Sequence, residues 1–169
     1  MSRFAAYEPP RHGVPDPAVV LRAAAPSDVD GILAVAASRG AVTFGPRVPS
    51  WVVDPGRVVL VAVLDGVVVG WGMVAPWAGF DDVPDGLYVS ALTVAPAVRR
   101  RGIGERLLLD LIGWAAPRSA MLGSVINASN GPSLDLHLRH GFREVARSDA
   151  FAGITFTGGV GVLLVRSAA

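Results

Sequence analysis

The sequence predicts an α/β (α+β) fold: a mixed, mostly antiparallel sheet of six to seven strands with helices on both faces. Three observations predict it. Residues 87–109 (LYVSALTVAPAVRRRGIGERLLL) read as a strand, an arginine- and glycine-rich turn and the opening of a helix. Residues 57–64 and 67–74 are apolar runs joined by Asp65-Gly66, a strong two-residue hairpin signal. The strands at 87–94 and 121–126 are separated by that helix, and strands joined by such a crossover run parallel.

Taken in order, residues 1–16 carry three prolines (Pro9, Pro10, Pro15) and no periodicity, so they read as a tail or arm before a single domain at 17–169. Residues 18–22 (AVVLR) make a short strand. Pro26-Ser27-Asp28 opens a helix to about residue 38, with Ser27 as its cap and Ile32, Leu33, Val35 and Ala36 as its apolar face. Residues 40–53, punctuated by Gly45, Pro46 and Pro49, form a loop over a pocket, with room for a short helix. Phe44 and Trp51 in that loop either plug a core edge or touch a substrate. After the hairpin, residues 75–86 form a second irregular loop holding Asp81, Asp82 and Asp85. It reads as a solvated acidic turn or as a collar that attracts a cationic amine.

Tyr88 to Val94 is rich in β-branched and aromatic residues, and Pro96, which cannot donate to a ladder, ends the strand. Ile103, Leu107, Leu111 and Ala115 then repeat at helical spacing with Leu108 and Ile112 beside them, while Arg106, Asp110 and Gly113 form the other face. Pro117 and Arg118 end this helix and 121–126 is the next strand. Asn130-Gly131-Pro132-Ser133 opens another helix, ending at His140-Gly141. Asn130 is its cap, and Pro132 sits in the first turn, where a missing N–H costs little. Strands at 142–147, 154–156 and 160–166 close the chain, with a turn at Thr157-Gly158-Gly159.

Composition narrows the function. The chain has 169 residues, 51% of them hydrophobic, and no apolar run long enough to span a bilayer. The first residues lack a signal-peptide core, so a cytoplasmic location is expected, without membrane partners. There is no cysteine, which excludes disulfides, thiolate metal sites and a cysteine nucleophile. His12, His137 and His140 make no spaced ligand cluster, so no metal is expected. A net charge of +1 argues against nucleic acid. All fifteen basic residues are arginine, so lysine Schiff-base chemistry is ruled out. Glutamate occurs only at positions 8, 105 and 144.

The chemistry centres on Arg99-Arg100-Arg101-Gly102-Ile103-Gly104. Glycines at a helix start admit a ligand to the backbone, and the free first-turn N–H groups, with the positive end of the helix dipole, favour a phosphate. A dinucleotide fingerprint would need a third glycine where Leu107 stands, and a nucleotidase loop would need a lysine. Arg99-x-x-Gly102-x-Gly104 instead resembles the acetyl-coenzyme A signature of the GNAT superfamily of N-acetyltransferases, Gln/Arg-x-x-Gly-x-Gly/Ala. Downstream, Asn130-Gly-Pro-Ser133-Leu-Asp-Leu136-His137-Leu-Arg139-His-Gly141-Phe142 is similar to that family's second signature, an Asn and a small residue followed by Leu-Tyr-x-Lys-x-Gly-Phe. Both occur in the family's order, separated by one strand, and the order of elements fits from residue 18 to 166.

The resemblance implies the GNAT fold, with a splayed parallel pair of central strands, and acetyl-coenzyme A as co-substrate. It implies a pyrophosphate held by the backbone of Arg101, Gly102, Ile103, Gly104 and Glu105, with the side chains of Arg99, Arg100 and Arg101 within reach of its phosphates. It further implies a pantetheine arm along Leu92, Thr93 and Val94 and beside Asn127, Asn130 and Ser133. The family's tyrosine, the proton donor to the departing thiolate, is His137 here. An unperturbed histidine titrates near pH 6.5 and serves readily as donor or base. A phosphinothricin-type subgroup looks similar at this position. That subgroup carries a glutamate on the central strand, and Tyr88-Val89-Ser90-Ala91 offers none. The base is therefore a water held by Ser90, one of Asp81, Asp82 and Asp85, or His137 itself. Glu105 suits the helix dipole.

The expected activity is direct transfer of an acetyl group to the primary amine of a small molecule, with Phe44, Trp51, Asp81 and Asp82 toward the substrate. The alternatives are a protein N-terminal acetyltransferase and a cofactor-binding sensor that has lost turnover. Homodimers are common in the family, and the apolar closing strand offers a dimer face.

Overall fold

The computed structural model describes residues 13–40 and 43–167. The first twelve residues of the expected tail lie outside them. Among the described residues, nine strands and four α-helices follow in the order β1 (Val20–Ala23), α1 (Val29–Ala37), α2 (Val48–Val53), β2 (Val58–Leu64), β3 (Val67–Trp77), β4 (Gly86–Val94), α3 (Ile103–Ala115), β5 (Met121–Asn127), α4 (Gly131–Arg139), β6 (Arg143–Ser148), β7 (Ala150–Phe151), β8 (Ile154–Thr155) and β9 (Gly161–Ser167). Seven strands form one sheet in the order β1-β2-β3-β4-β5-β9-β6, and β7 and β8 form a separate two-stranded ribbon. Every pairing in the sheet is antiparallel except β4 with β5.

The hairpin between β2 and β3 has the turn its sequence demands. Asp65 and Gly66 both take positive φ, at 50° and 78°, the two left-handed residues of a type I′ turn. The helices sort onto the faces by their apolar stripes. Ile32, Val35 and Ala36 of α1 and Val48 of α2 bury against Val59, Val61, Trp71 and Met73 on one face. Leu108, Leu111 and Ala115 of α3 bury against Val74, Val89, Leu122 and Leu164 on the other, with Leu134 and Leu136 of α4 packed beside them. Fully burying one such leucine is worth about 2 kcal/mol, so the helical spacing read from the sequence is what fixes α3 to the sheet.

Four expectations change. Ser27 is not the cap of the first helix: a 3-10 turn at Pro26–Asp28 precedes α1, and the buried Asp28 carboxylate accepts the Ala25 N–H at 2.7 Å and both arms of Arg22 at 2.6 and 2.8 Å. A carboxylate that takes three donors outcompetes a hydroxyl. Asn130 occupies the cap of α4, but its side chain makes no capping bond; its carbonyl accepts from Ser133 and Leu134 instead. The loop at 75–86 is shorter than expected, because β3 continues to Trp77 and pairs it with Gly86. The closing strand β9 is interior, between β5 and β6, and Val162, Leu163 and Leu164 are buried in the protein's own core. Among the described residues no helix is long and apolar enough to cross a membrane.

Candidate active site

The site begins with a bulge. Met73 pairs with Ala91 and Val74 with Val89, so Ser90 is the extra residue of β4. A bulge bends and twists its strand. On the other side, β4 pairs with β5 only at Leu87↔Leu122, Tyr88↔Gly123 and Val89↔Ser124. Beyond Ser90 the two parallel strands separate, while β4 stays on β3 as far as Val94 and β5 stays on β9 as far as Asn127. The lower half of the pair is pinned by an aromatic stack. The Tyr88 ring lies over Gly123, where a Cβ would come within 2.2 Å of it. It stacks on Trp77 at 4.5 Å and donates its hydroxyl to the Pro84 carbonyl at 2.7 Å.

The gap between the separated strands is a cleft of about 360 Å³. Its lining brings together Ser90, Leu92 and Thr93 of β4, Asn127 at the end of β5, and Asn130, Ser133 and His137 of the α4 segment. Phe44 reaches it from the loop before α2. Ser124, Arg39 and the Thr155–Thr157 stretch also line it, and the sequence singled out none of them. Ser124 is legible only once the parallel register is known, and Arg39 carries no local signal at all. Trp51 stacks behind Phe44 at 5.6 Å and is not part of the lining. Asp81, Asp82 and Asp85 are not part of it either. The Asp82 carboxylate accepts the Ala152 N–H at 2.9 Å, holding the β7–β8 ribbon, and Asp85 accepts the Gly79 N–H. Among the described residues that line the cleft, Arg39 is the one that carries a fixed charge, with Nη1 3.5 Å from the Leu92 carbonyl and the Thr93 hydroxyl.

Three polar side chains in the lining are held by the protein. Ser90 accepts from Trp77 Nε1 at 3.0 Å and donates to the Tyr88 carbonyl at 3.2 Å, which leaves it one acceptor site. Asn127 donates to the Thr157 carbonyl at 2.8 Å and accepts from Ser129, bracing the mouth of the cleft. His137, 1% exposed, has Nδ1 at 2.8 Å from the Ser133 carbonyl. A carbonyl only accepts, so Nδ1 carries the proton and Nε2 presents a lone pair. That Nε2 is buried and has no hydrogen-bond partner among the described residues. Burial lowers the ring's pKa to about 4, with the nearby His140 adding to the effect and the Ser133 bond opposing it. The ring is therefore neutral at pH 7, and an orphaned buried acceptor marks a place for a ligand's donor.

The arginine- and glycine-rich turn follows the end of β4, and neither Val94 nor any residue of the turn is part of the cleft's lining. A 3-10 turn at Pro96–Val98 ends β4 and leads into it. Arg100 and Gly102 take left-handed φ of 67° and 66°. Such a conformation costs a non-glycine residue about 1 kcal/mol or more and persists where surrounding structure imposes it. At Gly102 a Cβ would also meet Pro15 Cα at 3.0 Å, so glycine is required there twice over. Gly104 is different: a Cβ would sit 3.8 Å from Val94 and 3.9 Å from Leu136, in ordinary contact, which explains why either glycine or alanine suits this position. Arg106 makes the first bond of α3, to the Gly102 carbonyl at 3.1 Å. The N–H groups of Ile103, Gly104 and Glu105 precede it and have no acceptor within the helix. The Glu105 carboxylate accepts from His140 Nε2 at 2.7 Å and Arg139 at 2.9 Å, tying the first turn of α3 to the end of α4. Those two hydrogen bonds outweigh its desolvation and hold its pKa below the ordinary value.

A strand gap with an orphaned acceptor, next to a helix start that offers free N–H groups, suits a long ligand with an anionic centre and a polar arm. The acetyltransferase (GNAT) family model matches residues 37–142. No curated protein matches the sequence. Among solved structures, ribosomal-protein-alanine N-acetyltransferase from Brucella melitensis is 26% identical, with a TM-score of 0.73 over 88% of this chain and 99% of that one. YncA from Salmonella typhimurium, solved with acetyl-CoA, is 22% identical with a TM-score of 0.74, covering 89% of this chain and 94% of that one. A phosphinothricin acetyltransferase from Sinorhizobium meliloti, in complex with acetyl-CoA, is 18% identical with a TM-score of 0.70, covering 90% and 89%. The latter two likenesses concern the fold.

Proposed function

The chain belongs to the acetyltransferase (GNAT) family and is an acetyl-CoA-dependent N-acetyltransferase, and from that premise we propose that it acylates the primary amine of a small molecule by direct attack in the β4–β5 cleft. The observation that carries this reading is the gap itself, open beyond Val89↔Ser124 and lined by a neutral His137 whose Nε2 lacks a partner among the described residues. In this reading the N–H groups at the start of α3 hold the pyrophosphate, and Leu92, Thr93, Val94, Asn127, Asn130 and Ser133 flank the pantetheine arm. Acetyl-CoA supplies the acetyl group as an activated thioester.

The protein's own groups then handle protons. No carboxylate lines the cleft among the described residues, which leaves Ser90 and His137. Ser90, with its hydrogen donated to Tyr88, holds a water by its remaining lone pair. His137 accepts at Nε2 the proton that the nitrogen loses on forming the amide bond, directly or through that water. The protonated ring, with a pKa of about 4, is a far stronger acid than a thiol of ordinary pKa near 8.5, so it returns the proton to the sulfur as the C–S bond breaks. This replaces the expectation of a histidine titrating near 6.5.

A peptide beginning with alanine is a second reading, supported by the likeness to the Brucella enzyme. The test is thiol release from acetyl-CoA across polyamines, amino-acid derivatives and an alanine-headed peptide. Turnover on a small-molecule amine, and a larger fall in kcat than in acetyl-CoA affinity for His137→Phe, support this reading. Turnover confined to the peptide would favour the second one, and an unchanged kcat in His137→Phe would remove His137 from the mechanism.

A further inference from the structure

The sequence reads residues 1–16 as a tail or arm, and the described part of it lies along the arginine- and glycine-rich turn. Val14 N–H donates to the Arg100 carbonyl at 3.2 Å and Asp16 N–H to the Arg101 carbonyl at 3.3 Å. The Asp16 carboxylate pairs with Arg101 at 3.0 Å and also accepts the Ala18 N–H at 2.9 Å. From inside α3, Arg106 reaches back to the carbonyls of Asp16 and Val19 at 3.3 and 3.1 Å. The approach is close enough that a Cβ on Gly13 would come within 2.6 Å of the Gly102 nitrogen.

We propose that the Gly13–Asp16 arm is a positioning element for the coenzyme, with Asp16 and Arg101 as its clasp. The reason lies in peptide geometry. In a planar trans peptide the C=O and the following N–H point in opposite directions. Two arm N–H groups draw the carbonyls of Arg100 and Arg101 to the arm side, and this turns the N–H groups of Arg101 and Gly102 to the opposite side, away from the arm. The same contacts hold Arg100 in its left-handed conformation, which the turn would otherwise relax. Arg101 thereby acts through Asp16, as a structural partner and not as a phosphate ligand. This assigns opposite duties to neighbouring arginines that the sequence pattern treats alike.

The inference rests on the turn being the coenzyme's pyrophosphate site, so the experiment begins with calorimetric binding of coenzyme A to the wild-type chain. No binding there overturns the site reading and, with it, this inference. Given binding, Asp16→Ala and Arg101→Ala are each expected to weaken coenzyme A by about tenfold, a change of roughly 1.4 kcal/mol in affinity. The double variant is expected to be no weaker than either single one, because both remove the same clasp. Asp16→Ala should raise KM for acetyl-CoA and leave kcat at saturating cofactor unchanged. The exchanged pair, Asp16→Arg with Arg101→Asp, should recover part of the lost affinity. Multiplicative losses in the double variant would mean that Arg101 touches the coenzyme on its own. Unchanged binding in Asp16→Ala would remove the arm from the site, and tighter binding would make it an obstruction instead of a support.

Discussion

Acid should loosen this protein through one buried ring. His137 is neutral in the folded chain, with a pKa of about 4 against an ordinary value of 6.5. Well above pH 6.5 the ring is uncharged in both the folded and the unfolded chain, and it contributes nothing to pH dependence. As the pH falls below 6.5 the unfolded chain takes up the proton and the folded chain does not, so stability declines until the folded ring also titrates near pH 4. At about 1.4 kcal/mol for each tenfold difference in proton affinity, the full loss is about 3 kcal/mol. Between about pH 7 and pH 4.5 it amounts to roughly 2 kcal/mol. The assay is urea unfolding of the wild type and of His137→Gln at those two pH values. The Asp28 and Glu105 carboxylates, held below their ordinary pKa by Arg22 and by His140 with Arg139, also lose stability in acid, but they do so in both proteins. The wild type should therefore lose about 2 kcal/mol more than the variant. Equal losses would show that the ring titrates normally, and the neutral proton acceptor proposed for the reaction would go with it.

Two glycines give opposite expectations from the same substitution. Gly123→Ala drives a methyl into the buried Tyr88 ring, with contacts of 2.2 to 2.6 Å at three ring atoms. It should cost about 3 kcal/mol, the upper end for overpacking, and lower Tm by about 6–12 °C in a domain of this size. Gly113→Ala meets nothing within 4 Å on the exposed side of α3, and should raise stability by about 0.5–1 kcal/mol through helix propensity alone. Thermal melts of both variants check the pair; a neutral Gly123→Ala would mean that Tyr88 does not pin the parallel strands.

Much of the fold was legible because its elements obey local rules. The Asp65-Gly66 turn needs two left-handed residues, and the α3 stripe needs its apolar spacing; both signals lie within a few residues of one another. The turn at residues 99–104 was legible for the same reason, since Gly102 answers to its own φ. The parts that were not legible depend on partners distant in sequence. Ser27 looks like a cap until the 3-10 turn at Pro26–Asp28 places Asp28 at the start of α1, with its carboxylate turned to Arg22 and Ala25. The acidic loop looks like a collar until Asp82 is seen to hold Ala152, some seventy residues on in the sequence. The bulge at Ser90 is a difference in register between two strands, which neither strand carries alone. His137 was visible as a residue, but its protonation state is set by burial and by the Ser133 carbonyl, neither of which a motif records.

Coenzyme and amine are proposed to meet in the gap between β4 and β5. Amide chemical shifts of the isotope-labelled protein, recorded while acetyl-CoA is added, test this most directly. Movement should concentrate at residues 90–94, 99–105 and 124–137, together with the His137 ring. Little change is expected in β1 or β6, at the outer edges of the sheet. Saturable changes elsewhere that leave the gap and the turn untouched would contradict the proposal.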